Sequence, residues 1–333
     1  MICRNCPHYC EIKDAQSVGK CGVRKLVGDE ILPANYGEIT SLALDPIEKK
    51  PLSRFRPGTF ILSVGSWGCN MTCPWCQNEA ISRGPVQCSV MSPKEVAAKA
   101  VELSGRSGNA ANVSWETLNI GVAYTYNEPL VAPEFVRDTA KLVREAGLVN
   151  VLVSNGMADP KIFESLLPYI DAMNIDLKTG DPEKYKSIGG NLDTVLANIK
   201  SAAYFVGTSK GITDENERDP QDKDDPDAKT GIYSTRTRSI LNFKRSPEEV
   251  ARIGRSCHVE LTYLVVPGFN DTEEDIKQAA KLVAEIDPRI PFHVTRFFPA
   301  ADMKNVMPTR IDVLLRLVEA AKQYLTDVIP GNI

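Results

Sequence analysis

The feature that most restricts the fold begins at Phe60, where strand-length apolar runs start to alternate with stretches whose apolar positions recur at helical spacing. The runs are 61–64, 118–124, 149–153, 172–177, 258–266 and 292–297. Ser92-Pro93-Lys94-Glu95 is a capping box with proline at the first helical position, and Val96, Ala97, Ala100 and Val101 follow on one face. A second helix runs from Pro133, with Phe135, Val136, Leu142, Val143 and Ala146 on one side, and stops at Gly147. Further helices are expected over 192–203, from the Asp271-Thr272 cap through 286, and over 308–325. Continuous apolar strands joined by helices make a parallel sheet buried on both faces. The expected fold class is therefore α/β, a partial (β/α)6 TIM-like barrel over 58–333, preceded by a cysteine-rich extension over 1–57.

Polar residues interrupt this pattern at one place in each unit, the C-terminal end of the strand. The first strand leads to Cys69, Cys73 and Cys76, the second to Tyr126-Asn127-Glu128-Pro129, and the third to Ser154-Asn155-Gly156. The fourth carries Asn174, Asp176 and Lys178, the fifth leads to Pro267-Gly268-Phe269-Asn270, and the sixth ends at Arg296. A β/α barrel gathers these ends on its active-site face, and a doubly wound sheet also binds its ligand at strand C-termini. One pocket follows from either architecture.

Cys69, Cys73 and Cys76 are spaced C-x3-C-x2-C. A loop this short can wrap three thiolates around an iron–sulfur cubane and leave the fourth iron without a protein ligand, open to chemistry. Completing the set with Cys88 would instead give a structural zinc site or an electron-transfer cluster, and spacing alone leaves both readings open. With Trp75 just ahead of the third cysteine, the motif resembles the signature of the radical S-adenosylmethionine (SAM) superfamily. That resemblance implies a [4Fe–4S] cluster whose unique iron chelates SAM, cleaved reductively to a 5′-deoxyadenosyl radical. The alternative is an electron-transfer or scaffold protein without SAM chemistry.

The resemblance also implies roles for the strand ends. Tyr126-Asn127-Glu128-Pro129 stands where the superfamily has Gly-Gly-Glu-Pro, so Glu128, with Asn127, would hold the SAM amino group. Ser154 and Asn155 resemble the Thr-Asn of glycyl-radical activating enzymes, near the ribose and carboxylate. Asp176, in Asn-Ile-Asp-Leu-Lys, resembles their Asp-Leu-Lys, whose aspartate helps hold a monovalent cation beside SAM; a plain ion pair with Lys178 is the other reading. Val266 and Trp75 would pack on adenine, and Arg296 would meet the SAM carboxylate or the substrate, unless it makes only a barrel-rim ion pair. Asp45-Pro46-Ile47-Glu48-Lys49-Lys50-Pro51-Leu52, Cys76-Gln77-Asn78 and Arg296-Phe297-Phe298-Pro299-Ala300 look like the AmmeMemoRadiSam-system branch, related to pyruvate formate-lyase activating enzyme. A low-potential electron donor of flavodoxin or ferredoxin type, and a protein or small-molecule substrate, are implied partners.

Cys3, Cys6, Cys10 and Cys21 form a second set, complete in itself for zinc or an auxiliary iron–sulfur cluster. Cys88 and Cys257 read as buried small hydrophobes. Between 207 and 245 an acidic, apolar-poor stretch reads as a mobile insertion. A net charge of −4 gives no general attraction to nucleic acid or anionic membrane. No apolar run is long enough to span a bilayer, and the N-terminus lacks a secretory h-region, so a reducing cytoplasm is expected, where cysteines point to metal or catalysis before disulfides.

Overall fold

The structure, a computed structural model, describes residues 1–105, 118–205 and 257–333. Its centre is an eight-stranded sheet in the spatial order Val328–Gly331, Phe292–Arg296, His258–Val265, Ala172–Asp176, Val149–Ser154, Asn119–Tyr124, Phe60–Gly65, Ser41–Pro46. Every neighbouring pair is parallel except the last, in which Ser41 lies opposite Gly65 and Pro46 opposite Phe60. The six inner strands are those expected, in sequential order, and their bounds shift by only one or two residues. The insertion expected at 207–245 lies outside the described residues.

Both edge strands escaped the sequence reading, for one reason. Each contains a proline, Pro46 or Pro330, and proline is tolerated at a sheet edge because no ladder bond is needed on the outer side. Ser41–Pro46 lies ahead of the expected boundary at 57 and yet belongs to the sheet. The chain that follows it plugs the interior, where Ile47 and Leu52 pack on Ile61, Val149, Val151 and Ala172.

Helices cover the outer face. Val96, Val136, Val195, Ile276 and Leu314 join one continuous core with Val122, Leu152, Met173, Leu261 and Val294. Pro93–Leu103 starts at the expected capping box: the Glu95 amide donates to Ser92 Oγ at 3.3 Å, and the Ser92 amide donates to Glu95 Oε2 at 2.7 Å. Ser92→Ala should therefore cost about 1 kcal/mol, read as a lower urea midpoint at unchanged slope. The last helix is shorter than 308–325 and runs over Ile311–Ala321. Thr309 is held back by two sheet contacts: its Oγ1 donates to the Val265 carbonyl at 2.6 Å, and its own carbonyl accepts from Arg296 Nε at 2.7 Å. Helices Pro160–Leu166 and Pro182–Ser187 were not anticipated, although each opens on an Asp-Pro pair whose aspartate caps it.

Candidate active site

At the C-terminal ends of the inner strands lies a cavity of about 620 Å³. Cys69, Cys73, Trp75, Cys76, Asn127, Glu128, Ser154, Asn155 and Asp176 all line it, so the motifs of four strands meet on one wall. The loop that carries the cysteines is held at its root. Asn127 Oδ1 accepts from the Ser66 amide at 2.9 Å, while its Nδ2 donates to the carbonyls of Trp67 at 3.1 Å and Gly68 at 3.3 Å. That side chain is therefore engaged in positioning the loop. Further along, Cys69 Sγ accepts from the Met71 amide at 3.4 Å and from Asn155 Nδ2 at 3.7 Å. Burial pushes the Cys69 and Cys73 thiols up, and the nearby Lys178 ammonium opposes the rise at Cys73.

Glu128 is 4% exposed. Its Oε1 accepts from Ser154 Oγ at 2.8 Å and from the Leu130 amide at 2.9 Å, and its Oε2 accepts from the Asn155 amide at 2.8 Å. Burial nonetheless raises its pKa to about 7, against those three bonds. No Lys, Arg or His pairs with it among the described residues. The backbone that brings Ser154 and Asn155 to it turns at Gly156, whose φ is +70° and where a Cβ would stand 2.9 Å from Ile175. Trp75 is buried against Phe269, ring centroids 4.6 Å apart, and its indole Nε1 has no hydrogen-bond partner.

Four expectations change on this geometry. Arg296 is not on the cavity wall and makes no ion pair among the described residues: its guanidinium bonds the Thr309 carbonyl and lies 5.0 Å from the Phe298 ring centroid. Strand side chains alternate, so His293 and Thr295 face the cavity and Arg296 faces away. Val266 is fully buried beyond the end of its strand, and Thr262 and Leu264 line the cavity in its place. Beside Asp176, where a monovalent cation was expected, stands Lys178, its Nζ 2.8 Å from Oδ2. Cys88 is not buried as expected; it is partly exposed, stands beside Glu38 and is absent from the cavity wall that carries the three loop cysteines. Cys257 is buried.

Sequence reasoning missed three residues that line the cavity, Lys50, His293 and Thr295. Lys50, in the segment before the first parallel strand, lines the cavity with its Nζ 2.9 Å from Asp45 and 4.7 Å from the Tyr126 ring centroid. Tyr126 Oη donates to the same Asp45 carboxylate at 2.6 Å. His293 and Thr295 also line the cavity, and the period-two rule applied to Phe292–Arg296 was the signal available for them.

Comparison with known proteins agrees with this arrangement. The model of the radical SAM superfamily matches residues 65–222, which takes in the cysteine loop and the Glu128, Ser154 and Asp176 strand ends. The chain belongs to the radical SAM superfamily. An uncharacterized protein of Methanocaldococcus jannaschii is 30% identical over 340 aligned positions, covering 99% of this chain and 82% of that protein. The 4-hydroxyphenylacetate decarboxylase activating enzyme of Clostridium scatologenes is 33% identical over 82 residues, 24% of this chain and 26% of that enzyme. A domain of pyruvate-formate lyase-activating enzyme from Bacteroides vulgatus superposes with a TM-score of 0.41 at 18% identity, over 64% of this chain and all but 1% of that domain. Among the described residues no helix is long and apolar enough to cross a membrane.

The cofactors of a radical SAM protein are a [4Fe–4S] cluster and SAM, and the residues present fit both. Three thiols on one wall leave a cubane one open iron. A buried carboxylate without a cationic partner among the described residues suits an ammonium group.

Proposed function

We propose that this chain is an oxidoreductase of the activating-enzyme type, acting in a reducing cytoplasm on a protein or small-molecule substrate that shares the cavity with SAM. When bound, the cluster and SAM supply a 5′-deoxyadenosyl radical that abstracts hydrogen. Cys69, Cys73 and Cys76 hold the cluster. Glu128 accepts the SAM ammonium, and Ser154 and Asn155 keep its carboxylate aimed by spending their donors on it. Asn127 acts through the loop root it fastens, and Asp176 acts with Lys178 at the carboxylate end. Trp75 offers adenine a face. Lys50, His293 and Thr295, which line the same cavity, meet the substrate.

The observation that carries this reading is the meeting of three loop thiols with a buried carboxylate that has no cationic partner among the described residues, in one cavity of about 620 Å³. Small-molecule sites run to roughly 300–1,000 Å³, which leaves room for more than the cofactor. The partial match to an activating enzyme supports the activase type, and the Asp45–Leu52 segment supports the AmmeMemoRadiSam branch. A flavodoxin or ferredoxin is the expected reductant.

The test is anaerobic reconstitution with iron and sulfide, followed by dithionite and SAM. 5′-Deoxyadenosine should form with the wild-type chain and not with Cys73→Ala. Equal product from both would refute the assignment.

A further inference from the structure

The N-terminal cysteines, which the chemistry above does not use, come together in the structure. Cys3, Cys6, Cys10 and Cys21 line one small cavity of about 10 Å³, separate from the active site. Cys3, Cys6 and Cys21 are buried and Cys10 half-buried, and all four are free thiols. Main-chain donors reach the sulfurs: the Lys20 amide lies 3.4 Å from Cys10 Sγ, the His8 amide bonds Cys6, and those of Val23 and Arg24 bond Cys21. Such N–H···S bonds are the usual outer support of metal-bound thiolates.

Arg24 adds an independent observation. It lines the same cavity and is 8% exposed. Two of its nitrogens are accounted for, Nη1 on Glu134 at 2.7 Å and Nη2 on the Ile31 carbonyl at 2.7 Å, while its buried Nε has no partner. A buried guanidinium on the wall of a cavity lined by four thiols suits an anionic tetrathiolate centre.

The same cage is docked on the cluster loop. Gly68, one residue before Cys69, sits at φ +92°, and a Cβ there would stand 2.2 Å from Val23 Cγ2 and 2.9 Å from the Cys21 carbonyl. His8 Nε2 donates to the Asn70 carbonyl at 2.7 Å, which also settles that nitrogen as protonated and not a metal ligand. Asn70 in turn accepts from Asn155 Nδ2 at 2.9 Å and donates to the Met157 carbonyl at 2.6 Å. The residues on both sides of Cys69 thus touch the N-terminal segment.

We propose that Cys3, Cys6, Cys10 and Cys21 close around a second metal centre, zinc or iron–sulfur, which clamps the N-terminal segment onto the loop that holds the active-site cluster. Thiolates are the shared requirement of both metals, and four of them complete either.

The test uses the full chain with Cys69, Cys73 and Cys76 all changed to alanine, purified without oxygen, so that only the second centre can hold metal. About one zinc, or about four iron with matching sulfide, should remain per chain, and the metal found identifies the centre. Adding Cys10→Ser and Cys21→Ser should remove it. Neither metal above the level of a chain lacking all seven cysteines would overturn the proposal. The native wild-type chain gives a second readout that needs no variant: about one zinc beside the active-site cluster, or about eight iron per chain in place of about four, is expected, and about four iron with no zinc counts against the site. The metal count does not depend on SAM cleavage, so this proposal and the assigned reaction fail separately.

Discussion

Glu128→Gln should lower SAM affinity by about 100-fold while leaving iron incorporation at the wild-type level. The size follows from the environment of the carboxylate. A charge-assisted hydrogen bond to a buried group contributes about 1.5–3 kcal/mol, and every 1.4 kcal/mol is tenfold in affinity. Glutamine keeps the volume and loses the charge. It also turns one donor toward the protein: whichever way the amide is set, its NH2 faces either the Asn155 amide or the pair formed by Ser154 Oγ and the Leu130 amide. Both effects act on SAM and neither touches a cluster thiol. Ser154→Ala removes only one neutral donor to the same carboxylate, so the expected loss is about fivefold, near 1 kcal/mol. Equilibrium binding of SAM to the reconstituted, oxygen-free variants measures both. Affinity of the glutamine variant within about threefold of wild type would remove Glu128 as the partner of the ammonium.

The order of the inner strands and the face they present were legible because both follow from local rules. Buried parallel strands read as unbroken apolar runs, and their polar ends converge whatever closes the sheet. Ser41–Pro46 and Val328–Gly331 were not legible, since edge strands carry no such run and each has a proline that argues against a strand in any other place. In the site, the thiols came from their spacing, and Glu128 from the resemblance of Tyr126-Asn127-Glu128-Pro129 to the superfamily motif. Arg296 misled because a charged residue at a strand end was read without asking which side of the pleat it occupies; His293 and Thr295 share the opposite parity and reach the cavity. Tyr126 shows a subtler limit. It stands at a glycine position of the superfamily motif and keeps a left-handed φ of 73°. Such a conformation costs a bulky residue about 1–3 kcal/mol. The bond from Tyr126 to Asp45 and the approach of Lys50 to its ring offset that cost, and both partners come from a segment some 80 residues earlier in the chain. No local reading of Tyr126-Asn127-Glu128-Pro129 contains them.

The segment that brings Lys50 to the cavity is tied down at its other end by Glu260, and removing that tie should cost more stability than any surface change. Glu260 is 0% exposed and accepts five hydrogen bonds: from the Ser53 amide at 3.0 Å and hydroxyl at 3.4 Å, the Arg54 amide at 2.7 Å, His258 Nε2 at 2.9 Å and His293 Nε2 at 2.6 Å. Glu260→Leu leaves all five donors without this acceptor; the buried His293 ring loses most, and the His258 ring, 32% exposed, can turn to water. Breaking a buried charged network of this kind costs about 3–5 kcal/mol, and a lowering of the melting temperature on the order of 10 °C follows. Glu260→Gln keeps the volume and one acceptor oxygen, and should fall between the leucine variant and wild type. Acid supplies the independent check. Burial alone would raise the Glu260 pKa, but the two histidines and two amides overcome it and hold the carboxyl well below the usual range. An acid depressed in the folded state contributes stability that is full above its unfolded pKa, near 4.5, and is lost as pH falls toward the folded value. The gap in melting temperature between wild type and Glu260→Leu should thus stay level from neutral pH down to about 5 and narrow below it. A gap that is the same at pH 4 as at pH 7 would mean that the leucine variant suffers from packing alone, and that the carboxylate is not what anchors Ser53 and Arg54 near the cavity.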